Sequence, residues 1–248
     1  MKSRGFYPKA PFCFFDMAEL NSLHNFALRR KKSVAWTART LAAVAFNYHR
    51  IVVEGAENLP HRGTALLLPK HRAYRDILLE GVVIYRIARR YGTYVMKAGL
   101  YGILELAGGV KIVRPKDIRR VKDRQARRAR IQWARDKNQQ TMDYLAWLYG
   151  QGEVVVSHPE GMRYQDVMGP MQREIIDHLL EVERQFGLEI PIIPIGLEYE
   201  SYSRPRARVY FRIDKPLYSS QFSATNELIG AVEERIFTLS GLCRDKAL

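Results

Sequence analysis

Cysteine is nearly absent from the 248 residues: Cys13 and Cys243 stand near opposite ends and form no Cys-x-x-Cys pair. That excludes a disulfide framework, and no histidine spacing completes a metal set, so no metal is expected. A reduced compartment follows. Long apolar runs are also missing. A spanning helix needs about 18 apolar residues in succession, whereas the best stretch, Val34 to Tyr48, is shorter and contains Arg39. The basic start Met1-Lys2-Ser3-Arg4 leads into no apolar signal core with a small-residue cleavage site. Internal repeats and low-complexity linkers are lacking as well. Acidic residues are few beside basic ones, 26 against 40, and the formal charge of +14 favours anionic partners: bilayer headgroups, phosphorylated small molecules or nucleic acid. The expectation is a cytoplasmic protein, peripheral on the inner face of a membrane.

What is present begins with helix signals. Asp16 and Glu19 are placed as a capping box, and Met17, Leu20, Leu23 and Phe26 continue at helical spacing. Arg29-Arg30-Lys31-Lys32 interrupts the pattern, and Val34, Ala38, Leu41, Ala45 and Phe46 resume it. Residues 1–49 therefore read as an N-terminal amphipathic two-helix appendage with a basic joint. Such helices bury an apolar face in the bilayer interface, where each nearby basic residue adds about 1 kcal/mol on anionic lipid. The alternative is that they cap the core.

Residues 50–248 read as one α/β domain, a sheet covered by helices. Strands are predicted at Ile51–Glu54, Thr64–Leu68, Thr93–Met96, Val110–Val113, Glu153–Ser157, Ile190–Tyr199 and Arg208–Ile213. Helices are predicted at Asp76–Tyr91, Tyr101–Leu106, Arg119–Tyr149, Gln172–Phe186 and Asn226–Leu239.

Three groups of residues offer chemistry. His71 and Asp76 form a His-x4-Asp arrangement just after an apolar strand. A neutral imidazole suits removal of a hydroxyl proton, and a carboxylate on its other nitrogen fixes the tautomer and stabilises the imidazolium. The spacing alone is weak, since His49 with Glu54 and His178 with Glu183 share it. Pro159-Glu160-Gly161-Met162-Arg163 follows the apolar Val154-Val155-Val156, so a tight turn at a strand end carries Glu160 and Arg163. Arg163 offers a planar fork for phosphate, and Glu160 either orients it or accepts a substrate hydroxyl. Lys97 and Gly109-Val110-Lys111-Ile112-Val113-Arg114 add basic residues at the ends of two short strands.

In this order these blocks resemble the glycerophosphate and lysophosphatidic acid acyltransferases of phospholipid synthesis. Ile190-Pro191-Ile192-Ile193-Pro194-Ile195 is similar to that family's apolar fourth block, and Val52 to Pro60 resembles the start of its catalytic domain. His158 stands where the third block usually has Phe. The resemblance implies a mixed, largely parallel sheet. It also implies direct acyl transfer, with His71 as base, Asp76 holding it, and amides near the start of the His71 helix as oxyanion donors. Lys97, Arg114, Glu160, Gly161 and Arg163 are the implied substrate-binding residues. Acyl-CoA or acyl-acyl carrier protein is the implied co-substrate with no further cofactor, and a phosphate-bearing lipid is the acceptor.

Ala73 and Met162 depart from the family pattern, as does the long basic stretch 115–137. These departures support a second reading, a catalytically degenerate lipid-binding protein of the same fold; a hydrolase releasing free fatty acid is a third. Nucleic-acid binding has only charge and Trp133 behind it, with no zinc-finger or aromatic RNA-binding signature, and is not expected.

Overall fold

The computed structural model describes residues 26–98, 102–114, 118 and 122–242. The predicted helix opening at Asp16 and both cysteines lie outside them.

Three largely apolar segments are buried on both faces, apart from the half-buried Glu198, and form the middle of a seven-stranded sheet: β2 (Ala65–Pro69), β5 (Val154–Val156) and β6 (Ile192–Tyr199). Such near-continuous hydrophobic runs suit parallel strands covered on both sides. The remaining strands are β1 (Arg50–Glu54), β3 (Thr93–Lys97), β4 (Gly109–Ile112) and β7 (Arg208–Ile213), and the spatial order is β1-β7-β6-β2-β5-β3-β4. Every neighbouring pair is parallel except β6 and β7. Five strands thus run one way and two the other, the mixed, largely parallel sheet that was expected.

The helices are α1 (Lys32–Phe46), α2 (Asp76–Ala88), α3 (Ile103–Leu106), α4 (Arg124–Gly150), α5 (Glu174–Phe186) and α6 (Thr225–Leu239). Strand alternation sends Ala65, Leu67, Val154 and Val156 to one face, against Leu79, Val83 and Ile84 of α2 and Phe46 of α1. Leu66, Leu68 and Val155 point the other way, against Leu145 and Leu148 of α4, Leu179 of α5 and Val232 of α6. Leu66, Leu67 and Leu68 are wholly buried, which stabilises the fold by roughly 1.5–3 kcal/mol each.

Several boundaries differ from the pattern in the sequence, each for a local reason. The helix predicted to Tyr91 stops at Ala88 because Arg89 turns left-handed at φ 57°. The basic helix starts at Arg124, where Asp123 caps it by accepting the Ala126 amide at 2.6 Å. Pro194 interrupts no ladder: it sits one residue outside the β7 pairing, and its carbonyl receives the Asp214 amide at 3.0 Å. The joint before α1 is not helical. Instead Arg30 reaches the Tyr91 carbonyl and the Glu153 carboxylate, both at 3.2 Å, and Phe26 packs edge-on to Tyr144. The described part of the N-terminal segment is therefore packed on the α/β domain. Trp36, Leu41 and Val44 of α1 stay exposed.

Candidate active site

The C-terminal ends of parallel strands gather functional groups, because loops there follow one another around a common rim. In this sheet β2 and β5 are adjacent, and their ends deliver Lys70-His71 and His158-Pro159-Glu160 side by side.

After Pro69 closes β2, the chain turns through residues 72–75 into α2, and Asp76 is its first residue. The Asp76 side chain folds back over that turn. Its Oδ2 accepts the amides of Arg72 and Ala73 at 2.6 and 2.7 Å and faces His71 Nδ1 at 3.0 Å. Its Oδ1 accepts the Tyr199 hydroxyl from the end of β6 at 2.7 Å. Asp76 is fully buried. Burial, the largest influence, disfavours its charge, but the bonds from His71, Ala73 and Tyr199 together hold the carboxyl below its usual range. His71 is lowered from the ordinary histidine value chiefly by burial, with the Asp76 hydrogen bond opposing. A neutral His71 that donates from Nδ1 to an ionised Asp76 presents Nε2 as a proton acceptor.

Of the three His-x4-acid spacings, this one closes. His49 Nε2 instead accepts from Arg75 at 2.9 Å, and Glu183 receives the Ile190 amide at 2.7 Å. Ala73 contributes to this pair through its backbone N–H. Of the amides near the start of this helix, which were expected to include the oxyanion donors, those of Arg72 and Ala73 are committed to Asp76.

Of the two parts expected of Glu160, orienting Arg163 is not the one its contacts support. Its side chain does not reach Arg163. Lys70 Nζ lies 2.7 Å from both of its oxygens, and the Gly169 amide donates to Oε2 at 2.6 Å. Both partners are completely buried, so Glu160 organises the site from beneath. Burial pushes Lys70 down and Glu160 up, and their contact works against both shifts. Lys70 also donates to the Tyr164 carbonyl at 2.8 Å, while the Tyr164 amide donates to the His71 carbonyl at 3.0 Å. These bonds stitch the loop after β5 to the His71 segment.

Gly161 contributes a conformation. It is left-handed at φ 62°, and a Cβ there would press within 3.2 Å of Gln172. Its carbonyl accepts from Arg114 at 3.4 Å, which brings the end of β4 to the same loop. Arg163 is exposed and lies 3.4 Å from the ring centroid of Tyr74, directly over the His71–Asp76 turn. Lys97 closes β3 on this rim, half-buried. The structure thus unites His71, Asp76, Arg114, Gly161 and Arg163 around one loop pair and sets Lys97 two strands from β2.

Lys70 and Tyr199 were not singled out in the sequence. A lysine ending a buried strand needs an anionic partner, a signal that marks Lys70 without naming Glu160. Tyr199 carries no local signal at all.

The fold and this rim define an α/β acyl-transfer enzyme. The Acyltransferase family model matches residues 50–198, more than half of the chain, and the protein belongs to that family. Among solved structures, the chain is similar to the 1-acyl-sn-glycerophosphate (LPA) acyltransferase PlsC from Thermotoga maritima. The TM-score is 0.58 at 19% identity, covering 85% of this chain and 79% of that one. No curated protein matches the chain in sequence.

Proposed function

We propose that the protein moves a fatty acyl group from a thioester, acyl-CoA or acyl-acyl carrier protein, to the hydroxyl of a lysophospholipid or glycerol phosphate. The observation that carries the reading is the His71 Nδ1 to Asp76 Oδ2 contact at 3.0 Å, with Asp76 anchored by two amides and Tyr199. His71 Nε2 takes the acceptor proton as the oxygen attacks the thioester carbonyl. Collapse of the tetrahedral intermediate breaks the carbon–sulfur bond, and the imidazolium returns its proton to the departing thiolate. Asp76 keeps the imidazole in the useful tautomer throughout.

Arg163 and Arg114 flank the Gly161 turn, and Lys97 stands on the same rim. Together they supply the cations for the acceptor phosphate and hold its hydroxyl near His71. The solved neighbour's own substrate, a 1-acyl-sn-glycerophosphate, has that chemistry. No helix among the described residues is long and apolar enough to cross a membrane. Work on the cytoplasmic side of an anionic membrane surface is supported by the exposed Trp36, Leu41 and Val44 of α1 and by the net charge of +14.

Free thiol release from a long-chain acyl-CoA tests the reading, with and without lysophosphatidic acid on anionic vesicles. The expected outcome is acceptor-dependent release that His71→Ala reduces by about 10²–10⁴-fold. Acceptor-independent turnover would instead make the protein a hydrolase. Silence across acyl-CoA and acyl-acyl carrier protein donors and a panel of acceptors would leave a lipid-binding protein of this fold.

A further inference from the structure

The His71–Asp76 pair leaves unexplained what lies against the face of the His71 ring. That neighbour is His158, stacked at 4.0 Å between centroids with 29° between the planes. Its Nε2 faces Glu80 Oε1 at 3.0 Å, and Glu80 is completely buried. Asp76 and Glu80 lie four residues apart on α2, so they share one helix face. The helix thus presents two carboxylates one turn apart, each to one imidazole of a stacked pair. The other Glu80 oxygen, Oε2, has no hydrogen-bond partner among the described residues. The polar group in contact with this buried carboxylate is the His158 imidazole, whose protonated form matches it in charge.

We infer that His158, anchored through Glu80, is a positioning residue for His71: it fixes the plane of the base's ring and sets a positive charge against its face. The inference rests on the reading of His71 as the base. Its physical sense lies in the balance around that ring. Asp76 by itself favours the imidazolium, and a base already protonated cannot accept the substrate proton. A cation against the ring opposes protonation while leaving Nε2 uncovered. The electrostatics agree in direction. Although burial, the largest influence, disfavours a charged His158, Glu80 raises its pKa above the ordinary value. His71 is lowered first by burial and then, against Asp76, by His158.

The groups bearing on this pair come from every side. Asp76 and Glu80 face both rings from α2, Glu160 acts on His158 from the loop after β5, and Lys70 and Arg72 adjoin His71 at the end of β2. Tyr94 of β3 completes the surroundings of Glu80. In the block that this loop resembles the position is usually Phe, which keeps a stacked ring and removes the charge.

The test is the pH dependence of kcat/KM for acceptor-dependent thiol release. His158→Phe preserves the stack and should move the acid limb upward by about one pH unit. Activity well below the limb then falls about tenfold relative to wild type, while the high-pH plateau changes far less. Glu80→Gln withdraws the counter-charge with both rings in place and should still move the limb upward, by less than His158→Phe does, because the lost Glu80 charge itself favours a protonated His71. If His158→Phe alone folds poorly because Glu80 is stranded, the Glu80→Gln, His158→Phe double variant removes both charges together. Nuclear magnetic resonance of ring-labelled histidines in the full chain reads the His71 titration without turnover, and it should rise in each variant. An acid limb and a His71 titration that fail to rise in folded His158→Phe, or in the double variant where His158→Phe does not fold, would overturn the inference. His71→Ala separates the two levels: turnover that survives it removes the base reading, whereas loss of turnover with an unmoved limb removes the positioning role alone.

Discussion

Four hydrogen bonds converge on the two oxygens of Asp76, and they make it the residue on which the site's geometry hangs. With its folded pKa held below the usual range, Asp76 contributes stability that is present above the unfolded value of about 3.9 and lost as pH falls through the folded one. Tyr199→Phe removes one donor to this buried carboxylate. It should cost about 1–2 kcal/mol in urea unfolding and shift acid unfolding to higher pH. The Lys70–Glu160 pair behaves differently. Lys70→Met strands a buried carboxylate and should cost about 3–5 kcal/mol, much of which the double variant Lys70→Met, Glu160→Leu should recover. A single variant no less stable than wild type would show that the pair carries no such strain. At this scale the sequence reveals His71–Asp76 because five residues and one helix start bring them together. Lys70–Glu160, His158–Glu80 and Tyr199–Asp76 are 90, 78 and 123 residues apart. Their meeting depends on strand order, which local periodicity does not encode.

Among the elements, α5 carries a titratable histidine in its packed face. His178 is buried there, and burial lowers its pKa to about 4 against a hydrogen bond to the Met142 backbone of α4. Since the unfolded chain takes up this proton first, stability is full above about pH 6.5 and declines toward pH 4 by roughly 3 kcal/mol. His178→Leu should flatten this part of the stability profile, measured by urea titrations at both pH values. Helix α1 offers a second test. Ala35, Ala42 and Phe46 face the protein, while Trp36, Leu41 and Val44 face outward. Leu41→Glu should reduce binding to anionic vesicles in a sedimentation assay by about 5- to 150-fold, at roughly 1–3 kcal/mol for the lost apolar burial, without lowering thermal stability. Helix existence was legible from spacing throughout the described chain. Helix ends were less so, because a left-handed Arg89 and the Asp123 cap are single-residue decisions.

For the whole molecule, alternation of strand and helix signals pointed correctly to an α/β sheet, and the ordered blocks pointed to acyl transfer. The reversal of β7 and β1, and the seat of β5 between β2 and β3, had no sequence signature. That seat has a consequence for how the protein is made. The chain lays down β2, α2, β3 and β4 first and reaches β5 only after the 27 residues of α4. Until Val154–Val156 arrive, β2 and β3 lack the strand that joins them into one sheet. On the ribosome, an unfinished chain therefore holds His71 and Asp76 without the loop that completes their surroundings. Synthesis itself delays the active rim until β5 is threaded home, and a prematurely ended product cannot transfer acyl groups.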